Sequence, residues 1–498
     1  MLITLCLFSA CSTQVPDSIR FGLSTAPSTL DPRYATDAAS TRINRLIYRR
    51  LVDFDEHARP LPSLARWEVV TPRHYRFILG DKGRLFHNGK NLTAEDVKAT
   101  YDYVLDPDNA SPHRGSVAVI EKIEVVNDDT VDFFLKTPDP LFPGRLVLGI
   151  LPEDLIRKNH PFNHAPVGSG PIKFIQWSSE ERLILERIRD RQIISFITVK
   201  DPTVRILKLL RGELDLIQGE LPFEMINWLR KKDEVDVEKV HGDNFSYIGF
   251  NLQDPDTGNL LIRRAIARGI DRDAIIRYAL GAAARKAESI FPPGHWAADP
   301  QLHGYGYDPQ ASRRVLLKAG YDQEHPLRLT YTTSTNPLSI RLAAIMQQQL
   351  KQVGVELDIR SYDWGTFYGD IKAGRFQMYS LSWVGLKMPD AFRYIFHSHS
   401  MPPSGANRGG FRDRQVDALI EKAEKTTDLN EQTGLYRSIQ QRLREQLPYI
   451  PLWYEDNVLV KRRQIAGYAL SMDGNYDGLI NTYRIREAGV RKSVSSGY

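Results

Sequence analysis

A multi-lobed α/β architecture is what this sequence predicts, and three observations predict it. Short alternating segments of strand length recur along the chain, amphipathic helices with recognisable caps come between them, and the two do not follow strict βαβ order. The strand-like segments are 18–23, 74–79, 130–135, 244–251, 327–332 and 377–384, with apolar residues recurring about every second position. Thr93-Ala94-Glu95-Asp96 opens a helix as a capping box, with Val97, Tyr101 and Val104 following on one face. Pro337 starts another, carrying Leu338, Leu342, Ile345, Met346, Leu350 and Val353 at helical spacing, and Gly354 stops it. Segments 416–424 and 430–446 read as an antiparallel helix pair. With no internal repeat and no low-complexity linker, these pieces form one compact body.

Composition bounds what such a body can do. A length of 498 residues allows two to four domains, at roughly 100–200 residues each. Hydrophobic residues at 42% and charged residues at 26% are ordinary for a globular protein. Lys+Arg 66 against Asp+Glu 61 leaves +5, too weak a balance to predict nucleic acid or a membrane surface as partner. The two cysteines, Cys6 and Cys11, stand at the N-terminus. The thiol-free remainder excludes an internal disulfide framework, a cysteine zinc site, an iron–sulfur cluster and a cysteine nucleophile.

Residues 1–10 form an apolar run ending in small residues before Cys11. This predicts the end of an export signal, with Phe8-Ser9-Ala10-Cys11 as a lipobox and Cys11 as the acylated first residue of the mature chain. Phe8 stands where such motifs usually have Leu, and no basic residue precedes Arg20. A start upstream of Met1 would supply the missing basic region. No later stretch approaches the roughly 18–20 apolar residues of a membrane span. The expected location is the periplasm or cell surface, with membrane attachment only through a lipid on Cys11.

Catalytic motifs are missing. The sequence contains no phosphate-binding Gly-x4-Gly-Lys-Ser/Thr loop, no Gly-x-Ser-x-Gly elbow, no His-Glu-x-x-His helix and no Gly-x-Gly-x-x-Gly fingerprint. Of twelve histidines, His397 and His399 form the tightest pair, read as part of an exposed loop in preference to a metal site. Nothing assembles a nucleophile, a base and an orienting group, so binding is the default expectation. No enzyme activity, cofactor or metal is expected.

A series of short motifs carries a family resemblance. In order they are Leu30-Asp31-Pro32, Leu64-Ala65-Arg66-Trp67, Tyr75-Arg76-Phe77, Phe86-His87-Asn88-Gly89 before Thr93–Val97, and Val167-Gly168-Ser169-Gly170-Pro171-Ile172. Phe250-Asn251, Arg263-Arg264-Ala265-Ile266, Ile270-Asp271-Arg272, Tyr307-Asp308-Pro309, Ala319-Gly320-Tyr321 and Pro448–Leu452 before Gly467-Tyr468 follow. In this order and spacing the chain resembles the family 5 extracellular solute-binding proteins, the peptide- and nickel-type receptors of ATP-binding cassette importers. Most of these residues read as structural: Trp67, Tyr75, Phe77 and Phe86 as core, Gly89, Gly168 and Gly170 as turns, Asp31 and Asp271 as turn or cap residues.

The resemblance implies a periplasmic-binding-protein type II fold, two lobes joined by a two-crossing hinge, plus an extra N-terminal subdomain. The implied division is 17–45, 168–250 and 458–498 for lobe I, 46–167 for the subdomain and 251–457 for the opposing lobe, with 1–11 as the signal remnant. Ligand would lie extended between the lobes and add as a strand to protein backbone. The corresponding segments are 22–27, giving Ser24, Ala26 and Pro27, and 379–386, giving Ser382, Trp383, Val384 and Gly385. For Trp383 a purely structural role stays open. Relatives that bind peptides often carry Trp-x-x-Asp, whose carboxylate pairs with the ligand's amine, but Leu386 stands at that position here. Asp390 is the nearest acid, and Arg408 is a candidate for an anionic group or else a surface-loop arginine.

A free dipeptide is therefore disfavoured, because both of its charges need partners in a dry site. The expected function is an exported, monomeric receptor that captures oligopeptide-like solutes and hands them to a membrane permease. The alternatives are a receptor for a nickel chelate, haem or another non-peptide solute, and more remotely a secreted hydrolase. A regulator built on this fold would need a DNA-binding helix-turn-helix ahead of residue 17, and the sequence has none there.

Overall fold

The computed structural model describes residues 18–485 except Glu180 and Gln323, so Cys11 and its expected lipid lie outside the described residues. A mixed sheet of eleven strands runs through the molecule. From one edge its path is Val355–Tyr362, Leu327–Ser334, Met378–Trp383, Val235–Phe250, Tyr449–Arg462, Leu216–Gln218, Ile19–Leu23, Ile193–Thr198, Arg182–Arg187 and Ile172–Ser179. The short strand Ala284–Lys286 pairs with Tyr449–Arg462 off this path. A separate four-stranded antiparallel sheet is made of Ala65–Thr71, His74–Leu79, Thr130–Leu135 and Ile120–Asn127.

Burial explains why the chain separates into bodies. Phe21, Leu185, Phe196 and Leu216 anchor a core at one end of the large sheet. At the other end the sheet is covered on both faces, by a core around Ile248, Leu329, Met346 and Leu350 and by one around Tyr247, Phe392, Tyr436 and Tyr454. The four-stranded sheet and the helix Ala94–Leu105 enclose a further core around Phe77, Tyr101 and Phe133. The capping box that starts this helix is present, with Thr93 N donating to the Asp96 carboxylate at 2.7 Å. Pro337–Lys351 begins on Asn336, whose side chain accepts from Leu338 N and Ser339 N. Arg414–Lys425 and Leu429–Gln446 form the helix pair.

Two strands carry the chain between the ends of the large sheet. Val235–Phe250 has 16 residues and Tyr449–Arg462 has 14, and they pair antiparallel from Val235↔Arg462 to Gly249↔Tyr449. Residues 245–250 pair also with Met378–Trp383, whereas the first half of the strand has only its long partner. The register shifts between Val240 and Asn244, and this irregularity marks the crossing. Gly242 sits in it, and a Cβ there would stand 2.1 Å from the Glu455 carbonyl oxygen. Only glycine lets the backbones come this close.

Several local expectations change. The strand expected at 244–251 is the inner half of Val235–Phe250. Its outer half, largely half-buried or exposed and rich in charge, gives no apolar alternation to read. Gly168 and Gly170 do not supply positive φ; they are required by close approach, since a Cβ would lie 2.0 Å and 2.3 Å from the carbonyls of Ile47 and Leu46. His397 is buried, not in an exposed loop, with Nε2 3.3 Å from Glu421. At the outer end of lobe I, the Arg484 guanidinium donates to the Ser18 carbonyl at 3.2 Å and to Asp215 at 2.9 Å.

Candidate functional site

Met378–Trp383 has two unequal edges. One pairs with Phe245–Phe250 along the whole strand, from Phe245↔Trp383 to Phe250↔Met378. The other meets Leu327–Ser334 only at Met378 and Tyr379, after which Leu327–Ser334 continues against Val355–Tyr362 alone. From Ser380 onward this edge therefore has no strand beside it among the described residues. Backbone N–H and C=O groups on such an edge are a template for an extended chain. Strand period places the side chains on two faces.

One face carries a polar cluster. The hydroxyls of Ser382 and Ser246, cross-strand neighbours, lie 2.6 Å apart, and the Glu455 carboxylate accepts from them at 3.4 Å and 2.8 Å. Glu455 is surface-accessible, yet protein surrounds its carboxyl closely, and this desolvation pushes its protonation above the ordinary range against the pull of the two serines. Sequence reading missed it. In Tyr454-Glu455-Asp456 it looks like one more acid at a strand end, and its neighbour Asp456 is indeed consumed by Lys239, His241 and Arg285.

The opposite face is aromatic. The Trp383 ring is half-buried, stacked 6.5 Å from Tyr247 and edge-on to Tyr394 at 6.1 Å. Arg408 lies over it at 5.0 Å, and its two terminal nitrogens donate to the hydroxyls of Tyr247 at 3.1 Å and Tyr368 at 3.2 Å. Val384 is exposed and Gly385 takes positive φ at +71°.

Below the strand end lies a cavity of about 270 Å³ lined from three bodies: by Phe54–Ala58 from the subdomain segment, by Asp473 and Asp477 from lobe I, and by His295, Leu386 and Lys387 from the opposing lobe. Asp243, beside the strand crossing, completes it. Lys387 Nζ reaches Asp243 at 2.9 Å and Asp473 at 3.6 Å. Burial raises the Asp243 carboxyl despite the lysine. Asp473 is also desolvated, but Lys387, the Ser471 hydroxyl and the Asn475 N–H outweigh burial and hold it below the usual range. His295 is held down to about 4, chiefly by desolvation.

The sequence-predicted contacts divide. Ser382, Trp383, Val384 and Gly385 stand together at the open edge. Ser24, Ala26 and Pro27 follow the Ile19–Leu23 strand, with Pro27 buried, and none of them lines the cavity. Asp390 is not a free acid: its carboxylate pairs with Arg145 at 2.9 Å, and Arg145 also holds Asp139 at 2.6 Å. Arg408 is not a surface-loop side chain; it is half-buried among tyrosines. Lobe I meets the opposing lobe through Lys387–Asp473, and the subdomain segment meets it through Arg145–Asp390 and through His57, whose carbonyl accepts from Trp296 N at 3.1 Å. Among the described residues no group of three or more His, Cys, Asp or Glu could hold a metal ion. No helix among them is long and apolar enough to cross a membrane.

Known proteins resemble this chain in sequence and fold. The profile of the bacterial extracellular solute-binding proteins, family 5 Middle, matches residues 60–402. Di/tripeptide-binding protein 2 of Pseudomonas aeruginosa is 27% identical over 93% of this chain and 94% of its own. The glutathione-binding protein GsiB of Pectobacterium atrosepticum is 26% identical over 90% of each. Among solved structures, the ABC transporter-associated periplasmic binding protein DppA of Helicobacter pylori, in complex with the peptide STSA, aligns with a TM-score of 0.79 at 26% identity, covering 94% of this chain and 98% of that one. The substrate-binding protein CtaP of Listeria monocytogenes aligns at 0.85 with 25% identity, over 94% of this chain and 99% of its own. The two-lobed α/β fold expected from the motifs is thus the fold observed.

Proposed function

Because the chain belongs to the family 5 bacterial extracellular solute-binding proteins, we propose that it captures a peptide-like solute between its lobes and delivers it to the permease of an ATP-binding cassette importer. The observation that carries the reading is the open edge of Met378–Trp383, which offers unpaired backbone groups to an extended chain. Ser382, Trp383, Val384 and Gly385 are the contacts on the opposing lobe, and Ser24, Ala26 and Pro27 those on lobe I. Bending at residues 240–244 and in the paired stretch of Tyr449–Arg462 brings the lobes together. The closed form is favoured by ligand because only it contacts ligand from both sides.

The cavity argues about ligand chemistry. Leu386 lines it where a free amine would need an acid, and the Lys387 ammonium is already in place against Asp243 and Asp473. A second cation there would compete for the same carboxylates. This supports longer or modified peptides over free dipeptides, in keeping with a glutathione-binding relative. The protein carries out no chemistry of its own in this reading, and the transporter's ATPase subunits supply the energy. It works as a monomer outside the cytoplasm, held near its permease by a lipid on Cys11.

Native mass spectrometry of protein made without residues 1–11 tests the reading. A co-purified mixture of peptide masses is expected. A bound metal chelate or tetrapyrrole with no peptide would overturn it, and turnover of a peptide by pure protein would overturn the non-catalytic part.

A further inference from the structure

We propose that Arg408 is the seat of a carboxylate on the ligand, received between the rings of Trp383 and Tyr368 at the end of the open strand edge. This deepens the peptide-receptor reading and rests on it.

Other buried arginines in the molecule have their charge answered by the fold. Arg187 pairs with Asp190 and donates to the carbonyls of Leu479, Ile480 and Thr482. Arg205 is held by the carbonyls of Val199, Lys200 and Glu220, and Arg263 by those of Thr257, Gly258, Gln446 and Leu447. Arg272 has Glu288 and the carbonyls of Ala287, Pro451 and Tyr305. Arg408 differs in its acceptors: like Arg205 and Arg263 it makes no ion pair among the described residues, but its side-chain hydrogen bonds go to the phenol oxygens of Tyr247 and Tyr368 and to no backbone carbonyl. A guanidinium has five N–H donors, and each phenol that accepts one keeps its own O–H to donate. The surroundings of Arg408 are therefore rich in donors and lack an anionic acceptor, and a half-buried cation in that state favours one from outside.

The site is also reachable and rigid. Trp364, 60% exposed, stacks on Tyr368 at 5.5 Å, and Tyr394, 50% exposed, meets Trp383, giving an aromatic rim around the guanidinium. Large rings exposed together at one place are the usual mark of a recognition surface. The loop carrying Arg408 is clamped by Asn407, whose side chain donates to the carbonyls of His397 and Phe411 and accepts from Phe411 N. Trp383 ends the strand with the free edge. A chain extended along that edge runs towards Arg408, and a planar carboxylate can take the guanidinium fork side-on beside flat rings.

The test is calorimetric titration of the protein with a pool of tri- to pentapeptides lacking Asp and Glu, with free carboxy termini, and with the same pool amidated. Amidation is expected to weaken binding to the wild-type protein at least tenfold, and to weaken binding to Arg408→Gln less than twofold. Arg408→Lys keeps the charge but not the fork and carries the test if the glutamine variant does not fold; its penalty is expected to be at least threefold smaller than wild type. Equal binding of both pools by the wild-type protein, or an unchanged penalty in the variants, overturns the carboxylate seat and leaves the peptide reading intact. Binding of neither pool overturns both.

Discussion

His295 lies on the cavity wall, where its tautomer is set by its neighbours. Nδ1 accepts from Ala297 N at 3.1 Å, so Nε2 carries the proton and donates to the Lys387 carbonyl at 3.0 Å. Protonation would set a second N–H against that of Ala297. Burial, helped by the Lys387 charge, holds the imidazole at about 4 against the pull of its bond to the Lys387 carbonyl, below its unfolded value, which is about 6.5. The sign follows from linkage. Above pH 6.5 both states are neutral, while below it the unfolded chain binds a proton that the folded one refuses, so stability falls with pH down to about 4. A loss on the order of 3 kcal/mol is expected between those limits. Urea unfolding at pH 7 and pH 4.5 of the wild-type protein and of His295→Gln measures it as the part of the difference that the variant loses, the rest belonging to groups such as His87 and His113, which burial also holds down.

Trp383→Ala is expected to weaken peptide binding by about 1–3 kcal/mol in a variant that still folds. Titration alongside a melting curve checks both halves of that statement. Trp383 could be singled out from sequence because a lone tryptophan ending an alternating segment stands out. Glu455 could not, because what distinguishes it is Ser246 and Ser382 brought beside it from 209 and 73 residues away.

At the scale of elements, periodicity located strands with one wet and one dry face and failed where that contrast disappears. His74–Leu79 and Thr130–Leu135 were readable to the residue, since both lay their apolar side on one core. The outer half of Val235–Phe250 was not, because at the crossing both faces meet water or charge. Gly242→Ala should strain this crossing, since the new methyl meets the Glu455 carbonyl. A destabilisation of about 1–3 kcal/mol is expected, seen in the denaturant midpoint. The Arg145–Asp390 pair joins the segment that follows the four-stranded sheet to the helix Ala391–Phe396 of the other lobe. Asp390→Asn is expected to cost the closed form about 1 kcal/mol, given partial exposure of both partners. A several-fold faster ligand dissociation in stopped flow would show it.

For the molecule as a whole, the order of motifs conveyed the fold while the site stayed mostly hidden. Motifs such as Phe86-His87-Asn88-Gly89 report local turns and core positions that sequence order preserves. The cavity instead gathers Phe54, Asp243, His295, Lys387 and Asp473, which are adjacent only after three bodies have packed. Closure is held by charged or partly exposed contacts, so salt should loosen it. Raising ionic strength from about 0.05 to 0.5 M is expected to shorten ligand residence several-fold with little change in melting temperature. The meeting of Arg484 with Ser18 has a mechanical meaning as well. Both ends of the described chain leave from one lobe, knitted there to each other and to Asp215. Tension applied through either end would be borne by that lobe's short strands and would bypass the two long ones that link the ends of the large sheet. Any tether at either end would therefore leave movement between the lobes unloaded.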